Sequence, residues 1–238
     1  MTVVRSRTPF AGELEVPVGP GLVGDLARPP GAVGVAVFAH GSGSSRLSPR
    51  NRFVASELVD RGIATFLFDL LSPREEADRA NVFDVGLLGD RLVAATSWLL
   101  RRPEAAGLRP CFFGASTGAA AALVAAARLG PDACAVVSRG GRPDLAGACL
   151  GRVRAPTLLI VGGADDVVLE LNRQALRALR CERRLAIVPG ATHLFPEPGA
   201  LERVAMLAGD WLESHLAGRA APGDTTVAAE ADAPPASR

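Results

Sequence analysis

A serine lies at the centre of the pentapeptide Gly-Ala-Ser-Thr-Gly, which occupies residues 114–118. An apolar run at 111–113 precedes it and an alanine-rich segment follows it, so the pattern predicts a strand, a sharp turn and a helix. In such a turn the serine hydroxyl projects from the top of a sheet, and small flanking residues let strand and helix approach closely. Ser116 is therefore predicted to be a nucleophile that attacks an acyl carbonyl. The alternative is that Ser116 only caps the helix, because serine is a favoured N-cap residue.

Three histidines are candidates for the base that activates this serine. His193 follows the apolar run at 185–188, where a predicted strand ends, and it is the favoured base. His40 follows another apolar run and is expected to order the adjoining loop. His215 lies in a predicted C-terminal helix, at a position expected to be on the surface. We expect His193 to take the proton of Ser116 and to return it to the leaving group.

The acid that orients the base is expected after the apolar run at 157–161. Asp165 and Asp166 are adjacent there, and only one of them can face the imidazole. Asp165 is favoured, with the role of holding the neutral tautomer and stabilising the imidazolium. Asp166 could instead cap the following helix. Asp144 is a third candidate, because an acid after the neighbouring strand can also reach the same histidine.

A glycine- and serine-rich loop at 40–45 follows the apolar run at 33–39. Its small residues leave backbone N–H groups exposed, so the N–H groups of Ser42 and Thr117 are predicted to stabilise an oxyanion. Glycine-rich turns between a strand and a helix also bind phosphate. Against that alternative, the chain contains no lysine for a Walker motif, and the glycine spacing is not G-x-G-x-x-G.

Substrate binding is predicted for His40, Arg50 and Arg142. Arginine can bind a substrate carboxylate through two parallel hydrogen bonds, and Arg46 and Arg139 are further candidates for that role. For each arginine, a surface salt bridge or a bond to a backbone carbonyl is an equally good interpretation.

Composition excludes several classes of chemistry. With no lysine and no tyrosine among the 238 residues, Schiff-base chemistry and lysine or tyrosine general bases are absent. The formal net charge of +1 gives no basic face for nucleic acid. Four separated cysteines form no C-x-x-C pair, which argues against a metal site and a redox motif. The predicted serine, histidine and acid mechanism needs neither a metal nor an organic cofactor. No stretch reaches the roughly 18 apolar residues of a membrane span, and the chain is expected to be a cytoplasmic protein with reduced thiols.

Apolar runs alternate with amphipathic runs along the chain, which predicts an α/β fold with a mostly parallel, twisted sheet and helices on both faces. The predicted strands are 33–39, 63–68, 109–113, 133–138, 156–161 and 184–188. The predicted helices are 49–61, 83–102, 116–129, 168–180 and 198–216. An antiparallel hairpin is expected at 11–27, one domain over 1–216 and a disordered tail over 217–238. The three candidate loops follow strands, where sheets of this kind bind ligands.

Segments 38–46, 48–52 and 138–146, together with the motifs above, resemble signature segments of the dienelactone-hydrolase-like group of the α/β-hydrolase superfamily. The resemblance covers residues from about 12 to 216 and implies an α/β-hydrolase fold with a serine, acid and histidine triad. Members of this group are sometimes fused to a phosphoribosyltransferase domain. Dienelactone hydrolases proper use a cysteine nucleophile, whereas position 116 is serine, which favours general ester hydrolysis over dienelactone as substrate.

The sequence thus predicts a serine hydrolase that cleaves small carboxylic esters through an acyl-enzyme, as a monomer or homodimer. The segment 70–90 is too short for a large lid domain, so short acyl groups are expected. One alternative is a thioesterase or acyltransferase with the same triad. Another is a non-catalytic binding module with a hydrolase fold.

Overall fold

An eight-stranded sheet runs through the centre of the molecule, with strand order β1-β2-β4-β3-β5-β6-β7-β8. The computed structural model describes residues 11–15 and 21–217. The strands are β1 (Ala11–Glu15), β2 (Val23–Ala27), β3 (Gly34–Ala39), β4 (Ala64–Phe68), β5 (Arg109–Ala115), β6 (Val136–Arg139), β7 (Thr157–Gly162) and β8 (Arg183–Val188). The strands from β3 to β8 pair in parallel, while β1 and β2 pair antiparallel, as does β2 with β4. The predicted mostly parallel sheet and the opening antiparallel pair are confirmed.

Helices cover both faces of the sheet and bury its central strands. They are α1 (Pro49–Asp60), α2 (Pro73–Glu76), α3 (Arg79–Phe83), α4 (Val85–Leu100), α5 (Thr117–Leu129), α6 (Asp166–Ala178) and α7 (Ala200–Leu216). One apolar cluster joins α1 and α7 to one face, and a second joins α4 and α5 to the other. Because both faces are covered, every residue of β3, β4, β6 and β7 is buried. At the edge of the sheet, β8 mixes buried and exposed positions.

The alanine-rich helix α5 lies between the sheet and α4. Ten of its residues are buried, most of them alanine. Small side chains let α4 approach closely: a Cβ added at Gly89 of α4 would lie 2.5 Å from Val124 of α5. This packing fixes the axis of α5 and therefore the position of the turn at its N-terminus.

Two local features were not predicted. The segment between β4 and α4 folds into the short helices α2 and α3, and residues Pro143–Arg152 form 3₁₀ turns. The predicted helix 83–102 begins at Val85, because the side chain of Asp84 caps it by accepting from the Leu87 N–H at 2.9 Å. The predicted tail lies outside the described residues beyond Ala217. Across the described part of the chain, no helix combines the length and apolarity needed to cross a membrane.

Candidate active site

Ser116 occupies a strained turn between β5 and α5. Its φ of 52° and ψ of −123° lie outside the regions that a residue with a side chain normally adopts. Hydrogen bonds to the end of β6 and to the loop after it hold this conformation: the Ser116 N–H donates to Arg139 O at 3.2 Å, and the Arg142 N–H donates to Ser116 O at 3.0 Å. Strain that the surroundings enforce in this way is typical of functional positions.

The two glycines of the pentapeptide are required by backbone packing. A Cβ at Gly118 would collide with the carbonyl oxygens of Ala39 and His40, and a Cβ at Gly114 would collide with the backbone of Ala119. The start of α5 therefore packs directly against the end of β3, and the glycine-rich loop follows β3 in the chain. Close approach of these two segments sets the distance between Ser116 and that loop.

We expect Gly118→Ala to lower the free energy of unfolding by about 3 kcal/mol or more, because backbone atoms cannot move aside as a side chain can. Gly151→Ala is the matched control, since the nearest atoms to its added Cβ are 4.0 Å away. Urea unfolding of both variants measures the difference. Equal midpoints would contradict the packing argument.

His193 and Asp165 form a close pair at the C-terminal edge of the sheet. The Nδ1 of His193 lies 2.7 Å from Oδ2 of Asp165. The Asp165 side chain is 15% exposed and that of His193 is 38% exposed, so the carboxylate is shielded while the ring reaches solvent. A histidine held in this way carries its proton on Nδ1 and leaves Nε2 free to accept another.

The two other candidate acids have different positions. Asp166 is the first residue of α6, and the carboxylate that contacts the imidazole belongs to Asp165. Asp144 forms two parallel hydrogen bonds with Arg142, at 2.9 and 2.8 Å. Arg142, a predicted substrate-binding residue, is thus occupied by a carboxylate of its own loop.

The loop that carries His193 is fixed by residues that sequence reasoning missed. Glu197 accepts from the Thr192 hydroxyl at 2.6 Å and from its N–H at 3.0 Å. Phe195 adopts a positive φ of 56° and is 2% exposed. Its ring packs in the apolar core, which holds the loop in place. A lone Phe and Glu in a loop give no periodic signal from which these roles could be inferred.

His215 was expected at the surface, and this prediction is wrong. Its side chain is 9% exposed, and its ring packs 4.5 Å from that of Trp211. Nε2 lies 3.3 Å from a carboxylate oxygen of Glu182. These contacts attach α7 to the start of β8, away from the His193–Asp165 pair.

The glycine-rich loop lies close to Ser116. A Cβ at Gly41 would lie 3.0 Å from Cβ of Ser116. The Ser42 N–H, a predicted oxyanion donor, donates to Oγ1 of Thr117 at 2.8 Å. For this N–H to bind an oxyanion, the Thr117 hydroxyl must turn away or share the hydrogen bond. The predicted donors, the N–H groups of Ser42 and Thr117, are therefore close to Ser116, and the Ser42 N–H is hydrogen-bonded to the Thr117 side chain.

His40 links this loop to the end of β4 through both ring nitrogens. Nδ1 lies 3.0 Å from Gly41 O, and Nε2 accepts from the Leu70 N–H at 3.0 Å. These contacts require a neutral ring with the proton on Nδ1. Burial lowers the pKa of His40, outweighing the Gly41 carbonyl and the charges of Asp69 and Glu76, which raise it. The ordering role expected for His40 agrees with these contacts. A substrate could contact His40 through its ring carbon atoms, or through a ring nitrogen only if one of the two hydrogen bonds were broken.

We expect acid to destabilise the protein through His40. A lowered pKa means that the unfolded chain takes up a proton first, so the contribution of neutral His40 is complete above pH 6.5 and is lost as the pH falls below that value. Urea unfolding between pH 8 and 5 measures this loss. His40→Gln should be less stable at pH 8 and should show a flatter pH dependence. If the free energy of unfolding of His40→Gln fell with decreasing pH as steeply as that of the wild type, His40 would not be the group responsible.

A cavity of about 240 Å³ opens beside Ser42 and Thr117. The short helices α2 and α3 and the helix α4 contribute residues to its lining. Its apolar lining consists of Leu47, Leu70, Leu71, Pro73, Val82 and Leu88. Polar groups line the rest, among them the ion pair of Arg46 and Asp69 at 2.9 Å. Within 11–15 and 21–217, no cluster of three His, Cys, Asp or Glu side chains is arranged to hold a metal.

Comparison with known proteins places this geometry in a family. No protein-family model matches the chain. The crystal structure of a dienelactone hydrolase from Anabaena variabilis superposes with a TM-score of 0.82 and 53% sequence identity, over 86% of this chain and 97% of that one. The chain belongs to the dienelactone hydrolase family of α/β hydrolases. This confirms the resemblance drawn from segments 38–46 and 138–146.

Other relatives of this dienelactone hydrolase family member differ in length or sequence. A Mycobacterium tuberculosis protein named "Putative phosphoribosyl transferase" is 58% identical over 216 residues, which is 91% of this chain and 46% of that protein. The chain thus spans about half the length of that relative. Est1E from Butyrivibrio proteoclasticus, at 15% identity and a TM-score of 0.73, shares the fold. An esterase domain from Rhodothermus marinus, at 20% identity and a TM-score of 0.68, covers 86% of this chain and also shares the fold.

Proposed function

We propose that this chain hydrolyses carboxylic esters with Ser116 as nucleophile, His193 as base and Asp165 as the orienting acid. The observation that carries the proposal is the 2.7 Å contact between His193 and Asp165 at the sheet edge where Ser116 is held on its strained turn. Ser116 and His193 both approach residues 139–140. The Ser116 N–H donates to Arg139 O, and a Cβ at Gly140 would lie 3.6 Å from Cε1 of His193. Family membership supports the hydrolase class.

In this mechanism Nε2 of His193 takes the Ser116 proton as Oγ attacks the ester carbonyl. Asp165 accepts from Nδ1–H and stabilises the imidazolium that forms. The N–H of Thr117 stabilises the oxyanion, joined by the Ser42 N–H once the Thr117 hydroxyl releases it. The imidazolium then protonates the departing alcohol, and a water activated by the same base hydrolyses the acyl-enzyme.

The cavity supports a preference for short acyl groups. It adjoins the two predicted oxyanion donors, and its volume of about 240 Å³ is below the range of roughly 300–1,000 Å³ of pockets for drug-sized ligands. Its apolar lining includes Leu88 and Val82. We expect a chain of a few carbon atoms to fit this volume and a long acyl chain to exceed it.

The proposal is tested by kcat/KM for p-nitrophenyl esters of increasing acyl length, together with intact mass after a fluorophosphonate probe. We expect turnover to be greatest at two to four acyl carbons and a single adduct on Ser116. Efficient turnover of thioesters with poor turnover of oxygen esters would favour a thioesterase instead. Folded protein without turnover or adduct would favour a binding module.

A further inference from the structure

Arg139 is a buried cation with no counter-ion in the part of the chain that the structure describes. It ends β6, is 6% exposed, and its guanidinium lies 6.0 Å from the centroid of the Phe195 ring. Nη2 donates to Oδ1 of Asn51 at 3.2 Å, and Nε is buried with no hydrogen-bond partner. Among the described residues, no carboxylate forms a salt bridge with it. Burying a charge in this way costs several kcal/mol unless a partner compensates it.

Arg50 adds a second cation to the same place. It precedes Asn51 in α1, and its Nε is also buried with no partner in the described part of the chain. Burial, and then the charge of Arg50, lower the pKa of Arg139 to about 10. By contrast, Arg46 and Arg52 on either side are paired with Asp69 and Asp25 at 2.9 and 3.1 Å.

The N-terminus of α1 increases the positive potential at this point. The helix has twelve residues, its first turn contains no acidic residue, and Arg50 lies within that turn. Helix N-termini normally attract acidic side chains or bound anions, because unpaired N–H groups and the helix dipole favour negative charge. Two cations at such a position repel each other, and an anion between them would offset that repulsion.

We infer that Arg50, Asn51 and Arg139 form a binding site for an oxyanion, a carboxylate or phosphate group, beside the catalytic triad. Guanidinium groups present paired N–H donors that match the oxygens of these anions. The site adjoins the triad through its own residues: Arg139 O accepts from the Ser116 N–H, and Phe195 follows two residues after His193. The anion is either a free ion or the charged group of the substrate, and the second source rests on the proposed function.

Inorganic phosphate tests the site without any assumption about catalysis. At fixed ionic strength, we expect phosphate to raise the unfolding midpoint of the wild type. Arg50→Gln should weaken phosphate binding about 10- to 100-fold, whereas Arg173→Gln, on the exposed surface of α6, should bind as the wild type does. No phosphate effect on the wild type, or an equal effect in Arg50→Gln, would overturn the inference.

Arg139→Met distinguishes an anion site from a purely structural arginine. Without phosphate, this variant should be as stable as the wild type or more stable, because it removes an uncompensated buried charge. With saturating phosphate, the wild type should become the more stable of the two. If Arg139→Met is much less stable in both buffers, Arg139 is structural and the inference fails.

Matched substrates identify the source of the anion. If the substrate supplies it, the p-nitrophenyl monoester of succinic acid should have a higher kcat/KM than p-nitrophenyl butyrate, and Arg50→Gln should reduce that ratio about 10-fold or more. If a free ion occupies the site, phosphate should stabilise the protein while the ratio is the same in both proteins. Failure of all ester turnover would count against the proposed function and leave the phosphate measurement intact.

Discussion

Ser116→Ala is expected to reduce kcat for ester hydrolysis by about 10⁴- to 10⁶-fold, because only the hydroxyl can form the acyl-enzyme. The backbone of the turn should persist, since hydrogen bonds from the neighbouring loop hold it and not the side chain. The free energy of unfolding should therefore change little. Steady-state kinetics and urea unfolding on the same preparation measure both quantities.

Ser214→Ala is the control for this substitution, because Ser214 is exposed on α7 and its hydroxyl bonds to Trp211 O and His215 of the same helix. It should retain full activity and should still be labelled at Ser116 by a fluorophosphonate. Residual activity of Ser116→Ala above about 1% of wild type would assign the nucleophile to another residue.

Asp165→Asn should lower kcat by about 10⁴-fold, whereas Asp166→Asn should change it less than about threefold. An amide at position 165 donates to Nδ1, which fixes the wrong tautomer of His193 and removes the charge that stabilises the imidazolium. Asp166 lies at the first turn of α6, so its replacement should cost only about 0.3–1 kcal/mol of stability. The two adjacent variants are measured with the same short-chain ester.

The adjacent substitutions control for each other, since both remove one negative charge from the same loop. Similar activity losses in the two variants would show a general electrostatic effect and contradict the assigned role of Asp165. A comparable loss in Asp144→Asn alone would transfer the role to the acid that Arg142 now engages.

The strands and the turn at Ser116 could be predicted because both depend on local sequence. Continuous apolar runs are required where a strand is buried on both faces, and glycine is required where a backbone carbonyl occupies the space of a Cβ. These requirements do not depend on the sequence of distant segments. The predicted strand boundaries accordingly agree with the structure to within three residues.

The contacts of individual side chains could not be predicted, because they depend on distant segments. Whether Asp165 or Asp166 faces the histidine depends on where α6 begins. The Ser42 N–H was predicted to be open, yet a threonine 75 residues away reaches it. Arg142 was predicted to be available, but Asp144, two residues further on, holds it. Spacing along the chain does not encode side-chain orientation of this kind.

The two hydrogen bonds of the His40 ring connect the glycine-rich loop with Leu70, which lines the cavity. Under the proposed ester hydrolysis, we expect an acyl group that shifts Leu70 to shift the His40 ring and, through it, the loop that carries the Ser42 N–H. Such a shift would change the stabilisation of the oxyanion, so acyl groups should differ in kcat as well as in KM.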